Sequence, residues 1–158
     1  IQCQFQYEGD YGTQLTGLQN ASRVIANEEP EIITLDANEL SGGASLEQYY
    51  GSVVQVNNLK VVDVKEKTTT SGDDYYVVEA VNNEGDKFDI YFGNSLITKH
   101  KVFEIFDVGS VYNVIGGVAY YEYANGKYQL SVGDAVRYTN GEMNEKDLLR
   151  AKDIEKVN

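Results

Sequence analysis

From Gly51 onward the chain alternates. In SVVQVNNLKVVDVKEK apolar residues fall at Val54 and Val56, then at Leu59, Val61 or Val62, and Val64. The two-residue period of a half-buried strand is kept on either side of Asn57-Asn58 but changes phase across them. One extra residue in a strand produces such a change, so a bulge or sharp bend is predicted there. DDYYVVEAVNN and DKFDIYFGN follow, joined by NNEG, with Gly85 where a tight reversal needs positive φ. The three runs predict an antiparallel meander. SLITKHKVFEIFDVGS then spaces Leu96, Ile97, Val102, Phe103, Ile105 and Phe106 in a way that fits a short helix or an extended cover on one end of the sheet. SVYNVIGGVAYYEYANGKYQLSVGDAVRY supplies two more strands around a turn at 124–127. Val54, Val56, Val77, Ile90, Val114 and Leu130 are expected to point inward.

Shorter elements flank these strands. GGASLEQYYG offers Ser45 as an N-cap with Gln48 three residues on, a capping-box spacing, before one or two helical turns ended by Gly51. NEKDLLRAKDIEKV near the C-terminus has Asn144 as a cap, Asp147 at the third helical position, and Leu148, Leu149, Ile154 and Val157 near helical spacing. A long bent first strand, a meander of three, a helix-like segment and a closing hairpin describe a fold class. It is all-β: a five-stranded Greek-key barrel of the OB type, with a short helix between its third and fourth strands. An extra N-terminal hairpin and a C-terminal helix complete the expected architecture.

YYGSVVQVNNLKV resembles the start of OB-fold-like domains of secreted or surface-anchored bacterial multidomain proteins, in which a Tyr-x-Gly stretch leads into the first strand. A G-x-Y-x-V-x-G strand follows the helix in that group, and GSVYNVIGGVAYYEY stands in its place here. The resemblance covers about residues 46–140, and its motifs mostly encode turns and strand faces. It implies tandem copies, an extracellular or cell-surface location and, in some members, a neighbouring extracellular nuclease domain.

Two distant stretches say nearly the same thing. QYEGDYGTQLTGLQNASRVIANE, from Gln6, can be set against YYEYANGKYQLSVGDAVRYTNGE, with Tyr7 against Tyr123, Gln14-Leu15 against Gln129-Leu130, and Ala21 and Arg23 against Ala135 and Arg137. Each copy reads as strand, Gly-containing turn, strand. Either two hairpins rich in Tyr and Gly resemble one another by composition, or residues 1–28 are the closing hairpin of an upstream repeat. The second reading divides the chain into that hairpin, an acidic linker or edge segment at 29–45 around the single proline, Pro30, an OB-like barrel at 46–140, and a C-terminal helix or linker at 141–158. A hairpin without its barrel would borrow a surface, so residues 1–28 are also expected to support an edge-paired or strand-exchanged homodimer.

Charge narrows the partners. Twenty-five acidic residues against thirteen basic ones leave a formal charge of −12, which opposes phosphate backbones. The densest basic stretches, 60–67 and Lys99-His100-Lys101, are short, so nucleic acid is an unlikely partner. No run approaches the ~20 apolar residues of a membrane helix, and no membrane insertion is expected.

Candidate chemistry is sparse. One histidine, His100, lies between two lysines, and one cysteine, Cys3, belongs to a different structural unit, so no nucleophile–base pair is in prospect. Asp73-Asp74 and Glu84-Gly85-Asp86 are hard oxygen ligands on loops without the ladder of an EF-hand, and read as solvated turn carboxylates. No catalytic residue, metal or cofactor is expected. Tyrosine is the excess: there are thirteen, and no tryptophan. Adjacent tyrosines in a strand face opposite ways, so in DDYYVV and AYYEY one ring of each pair is expected outside. An outward set of Tyr91, Tyr121, Tyr123 or Tyr128 would form a stacking platform for a glycan or protein ligand. These readings converge on a non-enzymatic extracellular binding or spacer module of a larger bacterial surface or secreted protein. The alternative is a nucleic-acid-binding OB domain accessory to an extracellular nuclease.

Overall fold

The computed structural model describes residues 2–8, 12–19, 31–72, 74–92, 105–132, 138–139, 142–143 and 154–157. The chain is mostly β. Eleven strands are described: β1 (Gln2–Glu8), β2 (Gly12–Gln19), β3 (Ile33–Asp36), β4 (Val53–Thr68), β5 (Asp74–Val81), β6 (Lys87–Phe92), β7 (Val111–Tyr120), β8 (Tyr128–Ser131), β9 (Tyr138–Thr139), β10 (Glu142–Met143) and β11 (Ile154–Val157). β1 and β2 form a two-stranded antiparallel sheet, as do β9 and β10. The other seven form one sheet in the order β11-β7-β8-β6-β5-β4-β3, with a further pairing between β7 and β4.

That extra pairing turns five strands into a circuit. β4–β5 and β5–β6 are antiparallel, β6–β8 is parallel, and β8–β7 and β7–β4 are antiparallel again. β4 can serve both ends because it bends. Its register against β7 shifts between Val56 and Leu59, where Asn58 takes φ of 64°, and a second shift against β5 falls between Val61 and Asp63. Asn58 tolerates the left-handed backbone because its neighbours hold it. Its N–H donates to Asn113 Oδ1 at 3.2 Å, and its Nδ2 donates to Asp36 Oδ2 at 2.8 Å. Each bulge restores the inward phase, so Val54 and Val56, then Leu59 and Val61, then Val64 all contribute to one core.

The core collects Tyr76, Val78 and Ala80 of β5, Phe88, Ile90 and Phe92 of β6, Tyr112, Val114 and Val118 of β7, and Leu130 of β8. Of the six residues expected inward, five belong to it. Val77 is the correction: it is buried, but its neighbours Tyr76 and Val78 point into the core, so the pleat puts it on the opposite face. One end of the circuit is covered by Phe106, whose ring lies 5.7 Å from Phe92 and 4.9 Å from Tyr112. The Tyr112 hydroxyl donates to Ile105 O and accepts from Asp107 N, fixing that cover. Of the segment 95–110, expected as a short helix or an extended cover, only 105–110 is described, and there Ile105 and Phe106 pack on the core as a cover; 95–104 lies outside the described residues.

Three expectations change. Ser45 is not a helix N-cap: a 3-10 segment, Gly43–Tyr49, starts earlier, after Gly42 at φ 74°, and Ser45 Oγ inside it accepts from Ser41 N. The early start follows from contact, since a Cβ on Gly43 would lie 2.0 Å from Asn125 O. Within the acidic segment 29–45, Ile33–Asp36 is a strand, parallel to β4, and a 3-10 turn (Ala37–Glu39) follows with Ala37 fully buried. Asn82 ties that turn to the β5–β6 hairpin, donating to Ala37 O and Leu40 O while its Oδ1 accepts from Glu84 N and Asp86 N. The C-terminal helix is corrected at 154–157: Ile154–Val157 pairs antiparallel with β7, Ile154 opposite Val114. β8 engages only residues 117–120 of β7, leaving the edge of 111–114 open, and a strand satisfies its backbone groups where a helix could not. The remainder of that expected helix, 144–153, lies outside the described residues.

Candidate functional site: a tyrosine-lined groove

Cross-strand partners share a face, so the register writes out the outer surface of the circuit. One row runs Lys65, Val77, Tyr91, Ser131, and the next runs Asp63, Glu79, Asp89, Gln129, Ala119. Tyr75 lies two residues before Val77, on the same face and diagonal to Tyr91. Their rings meet at 5.8 Å with a 49° tilt.

Over this face opens a groove of about 640 Å³, lined by Thr68, Thr69, Thr70, Tyr75, Tyr91, Ala119, Tyr120, Tyr121, Tyr123, Gln129 and Ser131. The volume falls in the ~300–1,000 Å³ range of small-ligand sites. Strand faces supply the floor. The end of β4 and the β4–β5 connection supply one wall, and the β7–β8 connection supplies the other. Among the described residues that line it, five are tyrosines and none is charged.

The β7–β8 wall is held from behind. It carries a 3-10 turn, Asn125–Lys127, with Gly126 at φ 72°. A Cβ there would stand 2.2 Å from Ala44 N, so the Gly43–Tyr49 segment and the turn touch backbone to backbone. Asn125 then reaches β6, its N–H and Nδ2 donating to the two carboxylate oxygens of Asp89 at 2.9 and 2.7 Å. Tyr121 and Tyr123 project from this braced wall with ring centroids 5.5 Å apart, and Tyr123 is 68% exposed. The Tyr120 hydroxyl donates to Glu122, which also takes both of its carboxylate contacts from Lys127 at 2.8 and 3.1 Å. Lys127 and Tyr120 hold the Glu122 carboxyl below its usual range, and Glu122 in turn raises the Tyr120 phenol.

Carboxylates adjoin the groove but are engaged. Glu79, on the outer face yet largely buried, receives Lys65 Nζ at 3.0 Å and Lys87 Nζ at 2.9 Å. Burial pushes its carboxyl up, the two lysines pull it down, and the lysines prevail. Lys65 is raised by the same hydrogen bond.

Three of the four tyrosines singled out in sequence, Tyr91, Tyr121 and Tyr123, line the groove together. Tyr128 does not. It packs against the core, between Tyr120 at 5.5 Å and Tyr50 at 6.1 Å, and its phenol is raised by burial and then by Glu47. Sequence reasoning missed Tyr75, Tyr120, Gln129, Ser131 and the threonines. Tyr75 had a usable signal, since it shares phase with Val77 and Glu79, and Glu79 is the polar residue that marks the outer side. Among the described residues no group of three His, Cys, Asp or Glu side chains is placed to hold a metal ion, and no helix is long and apolar enough to cross a membrane. Comparison with protein-family models, curated proteins and solved structures finds no match to this chain.

Proposed function

We propose that the chain is a non-enzymatic binding module, built on an OB-type barrel, that takes a ligand along its tyrosine-lined groove. The groove carries this reading: five tyrosines line it, three on strands and two on the β7–β8 connection, with polar but uncharged neighbours. The circuit β4-β5-β6-β8-β7-β4, with its one parallel pairing between β6 and β8, supports the OB reading. In such barrels the face of the second and third strands, with the first and last interstrand loops, binds oligonucleotides and oligosaccharides. The groove occupies the equivalent place. Fold analogy fixes no ligand, so the lining chemistry decides.

A binding or spacer role in a larger bacterial surface or secreted protein accords with the acidic surface and with the repeated hairpin. β1–β2 and β7–β8 are both antiparallel hairpins, each with its Gln-Leu pair on the second strand: Leu15 faces Phe5, and Leu130 faces Val118. On this register Tyr7 corresponds to Tyr120 rather than Tyr123. We place residues 1–28 as the closing hairpin of a preceding copy, available for edge pairing between molecules.

The test is chemical-shift mapping of the labelled protein against soluble oligosaccharides, proline-rich peptides and a thymidine oligonucleotide. Shifts confined to Tyr75, Tyr91, Tyr121, Gln129 and Ser131, with the ligand recovered intact, are expected. Shifts elsewhere, or a ligand returned cleaved, would sink the reading.

A further inference from the structure

The groove's lining selects among ligand chemistries, and this inference rests on the binding-module reading above. We infer that the occupant is a neutral oligosaccharide of pyranose units with equatorial hydroxyls, such as a β-1,4-linked glucan.

Charge comes first. Among the described lining residues no side chain is ionised, and the carboxylates beside them have partners: Glu79 has Lys65 and Lys87, Asp89 has Asn125, Glu122 has Tyr120 and Lys127, and Asp74 has Thr68. A cationic ligand therefore meets anions that have partners, and an anionic one meets a chain of net charge −12. An uncharged ligand meets neither obstacle.

Shape comes second. Two aromatic pairs, Tyr75–Tyr91 on the floor and Tyr121–Tyr123 on the wall, offer electron-rich ring faces and ring edges. A pyranose whose hydroxyls are equatorial has two flat faces made of C–H bonds, which lie against such rings, and a rim of hydroxyls. The rim needs groups that both donate and accept. The Gln129 amide and the Ser131 hydroxyl, side by side on β8 at the groove floor, have that character. A peptide binding by strand addition would need an open sheet edge, but β5 is paired with β4 and β6, and β6 with β5 and β8. The floor is strand face, which suits rings.

Isothermal titration with cellohexaose is the experiment, run beside oligogalacturonate, decaproline and a thymidine oligonucleotide. Cellohexaose should bind and the other three probes should not. Tyr91→Ala should weaken cellohexaose binding about tenfold or more, as loss of a stacked ring does, while Tyr91→Phe keeps most of the affinity and both variants melt cooperatively. Binding of oligogalacturonate, decaproline or the oligonucleotide in place of cellohexaose, lost in Tyr91→Ala, overturns the neutral-glycan inference and leaves the groove as the site. Cellohexaose binding that ignores Tyr91→Ala, or no binding by any probe, overturns the groove reading itself.

Discussion

Val77 and Val78 are adjacent, similar and both buried, yet they serve different sides of the sheet. Val78 faces Val64 and Ile90 in the core, whereas Val77 lies between Lys65 and Tyr91 under the groove. Glu79, in phase with Val77, pointed to the outer side, but YYVVEAV is otherwise apolar, so neither valine shows by its own type which face it takes. The difference is measurable. Val78→Thr puts a hydroxyl among apolar side chains and should cost roughly 1–3 kcal/mol, while Val77→Thr, flanked across the strands by Lys65 and Tyr91, should cost less. Glu79 supplies a second test at this scale. Its folded-state carboxyl titrates below its unfolded one, so its contribution is present at neutral pH and is lost as pH falls through the folded-state value. Allowing for lysines that are 39% and 52% exposed, Glu79→Gln should cost roughly 1 kcal/mol near neutrality. That difference from the parent should vanish in acid unfolding curves below the carboxylate range. A gap that persists there would show that shape, not charge, is what Glu79 contributes.

Elements were legible where a local pattern is tied to one structure. The Asn57-Asn58 phase change announced a bulge because only an inserted residue moves apolar positions between faces, and Gly85 at φ 90° marked its turn for the steric reason expected. Residues 154–157 were not legible, because Ile154 and Val157 satisfy helical spacing as well as a strand. What decides is the open edge of β7, a tertiary fact. The groove divides in the same way. Its tyrosines stood out by type, but Gln129 and Ser131 acquire meaning only once β6 and β8 pair in parallel, and the threonines only once the β4–β5 connection forms a wall of the groove. The Gly43–Gly126 contact tests the wall as an element. Gly43→Ala must push Asn125 away, at a cost of roughly 1–3 kcal/mol for overpacking. It should also speed hydrogen exchange at the Asn125 amide, now bonded to Asp89 at 2.9 Å. Unchanged protection at Asn125 would mean that the 3-10 segment does not brace the groove.

At the scale of the molecule, the question is which part of the chain the seven-stranded sheet requires. β1 and β2 pair with each other, and no pairing among the described residues joins them to the seven-stranded sheet. β3, starting at Ile33, does join it, and Ala37 behind it is fully buried in the core. The thermodynamic boundary should therefore fall between Gln19 and Ile33. An isolated two-stranded hairpin is marginal in water, so β1–β2 should add little to the cooperative unfolding of the seven-stranded sheet. A strand edge of that hairpin, which no other described strand pairs, can still take up another molecule through main-chain hydrogen bonds. A chain beginning at Glu31 should keep the melting temperature of the longer one within a few degrees, and any concentration-dependent dimer seen by ultracentrifugation should disappear. Removing β3 as well, by starting at Leu40, exposes Ala37's site and the edge of β4, and should lower stability severely. If the Glu31 chain fails to fold, the opening hairpin belongs to this barrel's own core. Its likeness to β7–β8 would then reflect two parts of one sheet system, and the reading of residues 1–28 as the end of another repeat would be wrong.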